Sequence, residues 1–230
     1  MLQLVIGNKN YSSWSMRPWV LMRQFGIAFD ELKLRFDFTP GSAFYRQLAR
    51  HTPAAKVPVL LIDGFAVWDT LAIAETLAER HAALALWPGD PLQRARARSL
   101  CAEMHAGFDA LRSHCPMNIE ASLPEVGQRI LAEQAAVQQD LSRIDAMWSQ
   151  QLAASGGPFL FGSFCIADAY YAPVVSRLRT YGLPLSAAAR AYAERVWAAP
   201  GVAAWVADAL AERDFLEFDE PYRQSRDASS

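Results

Sequence analysis

No run of this 230-residue chain approaches the ~20 consecutive apolar residues that span a bilayer, because Arg, Asp, Glu or Lys interrupts every candidate. Cysteine is scarce: Cys101, Cys115 and Cys165 are odd in number, widely spaced and form no C-x-x-C pair, so neither a disulfide framework nor a thiolate zinc site is expected. Histidine is equally thin. His51, His81, His105 and His114 show neither H-x-x-x-H nor H-E-x-x-H spacing, and no metal site is expected. Excess charge of one sign is missing too. With 22 basic and 24 acidic side chains the net charge is −2, which argues against a nucleic-acid partner. The opening run Met1 to Ile6 is too short for the apolar part of a secretory signal and lacks a basic flank, so a cytoplasmic location away from membranes is the expectation. No repeat of fixed period occurs.

What the chain does have is apolar material: 52% of its residues are hydrophobic, with 12 Phe and 7 Trp, enough for one large core or two smaller ones. Leu2 to Ile6 reads as a strand, the polar stretch Gly7 to Ser13 as a loop, and Met16 to Phe25 as a helix, with Pro18 in its first turn and Gly26 at its end. Alternation of Phe29, Leu32, Leu34 and Phe36 predicts a second strand over Ala28 to Phe36, and Ser42 to Arg50 a short helix. Asp63-Gly64 between Val57–Ile62 and Phe65–Trp68 is a hairpin signal. Asp69-Thr70 then opens a helix that ends near Arg80. The order βαβαββα marks a first domain over 1–80. Residues 81–91, with Trp87-Pro88-Gly89-Asp90-Pro91, read as a linker. Residues 92–212 read as an all-helical domain of five or more helices, and 213–230 as a tail whose polar end, Gln224 to Ser230, is expected to fray.

Three features of the first domain suit a small anionic peptide. Ser12, Ser13 and Ser15 cluster at a strand-to-helix junction, where unpaired N–H groups and the helix dipole favour an anion such as a thiolate; the plainer alternative is that one serine is only a cap. Val57-Pro58 stands at a strand entrance; trans is the common isomer, whereas a cis bond would free the Val57 backbone groups for an extended peptide. Asp69 and Thr70 head a helix, where they suit the ammonium and carboxylate of an amino-acid zwitterion or act simply as a capping pair.

Taken in order, the serine cluster, Ala55-Lys56-Val57-Pro58-Val59-Leu60 and Trp68-Asp69-Thr70-Leu71-Ala72-Ile73 resemble the thioredoxin-like domain of the cytosolic glutathione S-transferases, and Phe161 to Ala169 resembles the capping-box segment of that family's helical domain. Tyr11 to Arg17 is most similar to the serine-type, zeta-like branch, which includes maleylacetoacetate isomerases. The resemblance implies an α/β thioredoxin-like domain followed by an all-α domain, glutathione as cosubstrate, and a homodimer. It places the γ-glutamyl end on Asp69 and Thr70 and the cysteinyl backbone on Val57, with Pro58 cis. Ser12 matches the thiol-facing hydroxyl best and Ser13 next. Trp14, His105, Phe108 and Arg177 are the candidates for the electrophile site, with Met117 and Asn118 beside them.

Two departures stand out. Cys165 replaces the usual Ser or Thr cap, leaving Asp168 to hold that helix start, and the branch's substrate-carboxylate arginine falls near Thr180, with Arg177 and Arg179 as neighbours. The activity implied is attack of the glutathione thiolate on a hydrophobic electrophile; the alternatives are glutathione-dependent cis-trans isomerisation and non-catalytic ligand binding. The absence of a cysteine at the helix entrance disfavours thiol-disulfide exchange.

Overall fold

The computed structural model describes residues 1–226. The first half runs β1 (Leu2–Ile6), α1 (Ser13–Gln24), β2 (Asp30–Lys33), α2 (Ala43–Leu48), β3 (Val59–Ile62), β4 (Phe65–Trp68) and α3 (Thr70–Arg80). The sheet order is β2-β1-β3-β4, with β1 parallel to β2 and antiparallel to β3, and β3 antiparallel to β4. This is the thioredoxin-like βαβαββα arrangement. Asp63 and Gly64 both take positive φ, 50° and 86°, as a tight hairpin between twisted strands requires. Among the described residues seven α-helices follow: α4 (Pro91–Ala106), α5 (Asp109–His114), α6 (Pro124–Glu133), α7 (Ala135–Ser155), α8 (Ile166–Thr180), α9 (Ala187–Ala198) and α10 (Pro200–Glu212).

The pleat of β1 divides the apolar side chains. Leu4 and Ile6 face the large core that joins α1 and α3 to the helical half, whereas Val5 faces a smaller cluster with Leu34, Phe36, Phe44 and Val59. α1 is the hinge of this construction. It packs on α8 and α10 as well as on the sheet, and Trp19 meets Trp205 edge to face at 5.3 Å.

One sequence expectation needs correction. α1 begins at Ser13 rather than Met16, so Pro18 lies inside the helix and not in its first turn; buried Met16, Trp19 and Val20 hold the helix together around it. Within residues 81–91 a 3-10 turn at Ala82–Leu84 leads to buried Leu86 and Trp87, and Trp87 donates to Glu75 at 3.1 Å. The tail is docked. Leu216, Glu220 and Arg223 are buried, Asp214 accepts from Asn8 and Arg35, and Arg226 pairs with Glu120. Residues 227–230, the end of the stretch expected to fray, lie outside the described residues.

Candidate functional site

The loop from Gly7 to Ser12 carries the chain from β1 into α1, and it is clamped from both sides. Lys9 places its ammonium 2.7 Å from Glu31 and 2.5 Å from Asp208, and 4.5 Å from the Trp19 ring. The Lys9 amide donates to Glu212, and the Lys9 carbonyl accepts from the Trp205 indole at 3.0 Å. Asn10 and Asn118 are joined side chain to side chain at 3.0 Å, while the Tyr11 hydroxyl donates to Glu220 at 2.7 Å. The Tyr11 hydroxyl is therefore a structural strut; burial and the adjoining Glu220 push its titration well above the ordinary range.

The two serines that follow have different surroundings. Ser12 is buried and donates to Ser15 Oγ at 2.7 Å, and Ser15 also accepts from the Gly7 amide. Ser13, the first helical residue, is half-buried and accepts from Arg177 Nη2 at 3.4 Å. Its own hydroxyl hydrogen has no acceptor among the described residues.

Arg177 projects from α8 and is buried, anchored by bonds to the carbonyls of Cys115 at 2.9 Å and Pro173 at 3.2 Å. Desolvation lowers its guanidinium to about 10. It has no carboxylate partner among the described residues. The neighbouring positions are turned elsewhere: Arg179 pairs with Glu194 at the surface, and Thr180 donates to the Asn118 carbonyl at 2.6 Å.

Asp69 and Thr70 open α3. The Val57–Pro58 bond is cis, and Val57 lies just outside the strand ladders, which begin at Val59. Asp69 takes a positive φ of 74° and caps the helix by accepting from the amides of Leu71 and Ala72. Its second oxygen lies 3.3 Å from His105 Nε2 on α4, so this helix start is braced across the two halves of the chain. His105 also meets Trp14 edge to face at 4.9 Å. Trp14, Asp69 and His105 thus form one wall. Phe108 and Met117 are buried in the large core, and Asn118 spends its side chain on Asn10, Glu220 and the Ala121 amide.

Asp168 holds the start of α8 as the Cys165 replacement demands. It accepts from the amides of Cys165 at 2.9 Å and Leu160 at 3.2 Å and from the Tyr192 hydroxyl at 2.9 Å. Burial outweighs these donors and lifts its carboxyl to about 6. Two cavities, about 400 Å³ beside Arg46, Arg50 and His51 and about 330 Å³ beside Leu141 and Leu185, are lined by none of the residues of this wall. Among the described residues no cluster of His, Cys, Asp and Glu is arranged to hold a metal ion, and no helix is long and apolar enough to cross a membrane.

Residues 11–80 match the family pattern described as the glutathione S-transferase N-terminal domain, and residues 131–208 match its C-terminal domain. The chain belongs to the glutathione S-transferase family. By that membership it is a glutathione-dependent enzyme with glutathione as cosubstrate. Similar proteins include a probable maleylacetoacetate isomerase of Caenorhabditis elegans, 39% identical over 29% of this chain and 31% of that one, so the chain matches under a third of that relative's length. The maleylacetoacetate isomerase of Rattus norvegicus is 26% identical over 76% of this chain and 78% of its own. Among solved structures, a glutathione transferase homolog from Burkholderia, crystallised with bound glutathione, superposes with a TM-score of 0.68 at 25% identity, covering 90% of this chain and 97% of that one.

Sequence reasoning missed Arg17. It is fully buried on α1, one helical turn after Ser13, with its guanidinium 4.1 Å from the Trp14 ring and 4.6 Å from the Tyr170 ring. An arginine in an otherwise apolar stretch was the available signal.

Proposed function

We propose that this transferase grips glutathione along the edge formed by Val57, Asp69 and Thr70 and holds its sulfur at the start of α1. In this arrangement the Asp69 oxygen beside His105 takes the γ-glutamyl ammonium. The Thr70 amide and hydroxyl take the adjacent carboxylate, and the Val57 backbone pairs with the cysteinyl unit. The sulfur is ionised by the first amides of α1 and by a serine hydroxyl, which lowers the thiol pKa and populates the nucleophile near neutral pH. Of the two serines the geometry favours Ser13, because Ser12 already donates to Ser15 whereas the Ser13 hydroxyl hydrogen is uncommitted. The thiolate then adds to an electrophile held against Trp14 and His105, and the enzyme contributes proximity and electrostatics without a covalent protein intermediate.

The observation that carries this reading is that the starts of α1 and α3 are linked, Trp14 through His105 to Asp69 and Arg17 to Thr70, with a buried guanidinium touching Ser13. Its test is the pH dependence of conjugation. Ser13→Ala is expected to displace the acidic limb upward by about one unit, equivalent to ~1.4 kcal/mol of thiolate stabilisation, with little change in glutathione affinity. A shift in Ser12→Ala and none in Ser13→Ala would move the role one residue back.

A second chemistry is favoured by Arg177. Its charge, unpaired by any described carboxylate and set against Ser13, suits an anionic acceptor. With such an acceptor the thiolate adds to a conjugated cis double bond, the resulting single bond rotates, and elimination of the thiolate returns glutathione and the trans isomer. Loss of isomerisation of a cis-unsaturated dicarboxylate in Arg177→Met, with conjugation of a neutral electrophile retained, is the expected signature.

The same proposal includes a homodimer in the cytoplasm. Phe65 and Trp68 on the edge strand β4 and Leu92 on α4 are exposed large apolar side chains, and the three buried thiols are unpaired. Light scattering at the mass of one chain would overturn the dimer.

A further inference from the structure

Arg17 is a buried cation with no anion. Its residue is 3% exposed, its Nε has no hydrogen-bond partner, and no carboxylate lies within ion-pair distance among the described residues. Burial lowers its guanidinium to about 10, still far above neutral pH, so the charge persists inside the fold. Two aromatic faces offset part of the lost hydration. A charge kept at such cost invites the question of what it acts upon.

Among the described residues the one side chain it hydrogen-bonds is Thr70. Arg17 Nη1 donates to Thr70 Oγ1 at 3.4 Å, and the Tyr170 hydroxyl donates to the same oxygen at 2.8 Å. Both acceptor positions of that hydroxyl are therefore filled, by donors from α1 and α8. Its hydrogen has no acceptor among the described residues. A hydroxyl that already accepts twice, once from a cation, is polarised toward donation, because successive hydrogen bonds reinforce one another at low dielectric.

We infer that Arg17 and Tyr170 are positioning residues that commit the Thr70 hydroxyl as a donor to the α-carboxylate of the γ-glutamyl group. This rests on the proposed placement of that carboxylate at Thr70. The relay gives the buried charge its counter-ion only when glutathione is present: guanidinium, hydroxyl and carboxylate then form one chain of alternating donor and acceptor. Neither residue touches the ligand. The effect passes through the Thr70 oxygen, and glutathione binding is thereby coupled to the packing of α1 against α8.

The test compares three ligands by calorimetric titration into the full-length protein: glutathione, 4-aminobutanoyl-cysteinylglycine, which lacks the α-carboxylate, and glutaryl-cysteinylglycine, which lacks only the amine. Arg17→Met is expected to weaken glutathione and the glutaryl peptide about tenfold, the scale of one charge-assisted hydrogen bond, and to change affinity for the carboxylate-free peptide less than about twofold. Tyr170→Phe, which keeps the ring, is expected to show the same ligand selectivity with a loss of about threefold. Thermal unfolding of ligand-free Arg17→Met should occur at or above the wild-type midpoint, since an uncompensated buried charge has been replaced by an apolar chain of similar volume.

Equal losses for all three ligands in both variants would mean a merely structural role and overturn the inference. So would unchanged glutathione binding in both. Wild-type protein that binds glutathione and the carboxylate-free peptide equally well would instead remove the carboxylate from Thr70, and the inference would fall with that placement.

Discussion

Replacing Lys9 by Met isolates what one buried ammonium does for the loop that carries the serines. Methionine retains the apolar stem that lies between Trp19 and Trp205, and it removes a charge held 2.7 Å from Glu31 and 2.5 Å from Asp208. Breaking a buried pair from one side costs about 3–5 kcal/mol. Here the cost is discounted, because the Asp208 side chain is half-exposed and water takes over part of the ammonium's role. Loss of the cation above the Trp19 face adds about 0.5–1 kcal/mol. The net expectation is a destabilisation of about 2–3 kcal/mol, with kcat/KM falling as Ser12 and Ser13 lose their fixed approach.

Urea unfolding at neutral pH, followed by tryptophan fluorescence, measures this directly because two indoles flank the site. The Asp208→Asn variant completes a double-mutant cycle. A Lys9→Met loss below about 0.5 kcal/mol, or no coupling to Asp208, would refute the assignment of this ammonium as the loop's pin.

Gly201→Ala should cost about 1–3 kcal/mol, because an added Cβ would stand 2.6 Å from the Val20 carbonyl where α10 crosses α1; thermal melts check it. Asp168, lifted to about 6 by burial, sits above its unfolded value of about 3.9. Its contribution to stability is therefore complete below pH ~4 and lost as pH rises through 6. Asp168→Asn should flatten that part of the pH–stability curve by up to about 3 kcal/mol, and an unchanged slope would assign it to other groups. Deleting the residues after Glu212 removes the Asp214, Leu216 and Glu220 contacts, so the amides of the Asn8 to Tyr11 loop should exchange with solvent faster while those of α7 do not; equal protection in both segments would count against the clamp.

What the sequence made legible was local. Asp63-Gly64 announces a hairpin because few residues accept positive φ, and Asp69 announces a helix start because its carboxylate satisfies two free amides. The resemblance added the cis bond at Pro58, which no local pattern encodes. The register of α8 was harder to read. That helix is buried on nearly every side, so apolar periodicity does not say which face meets the serines, and only packing distinguishes Arg177 from Arg179. The docked tail was invisible for another reason: Asn8 and Tyr11, which hold Asp214 and Glu220, lie about two hundred positions away, and pairing at that distance leaves no spacing to read.

That last pairing bears on the order in which the protein folds. Asn8, Lys9 and Tyr11 are fixed by Asp214, Glu212 and Glu220, about two hundred positions along the chain. Closing so long a loop costs more entropy than pairing β1 with β2 and β3 inside the first domain. Refolding followed by hydrogen exchange should therefore protect the β1 amides before those of the Asn8 to Tyr11 loop, and transferase activity should return with the later protection.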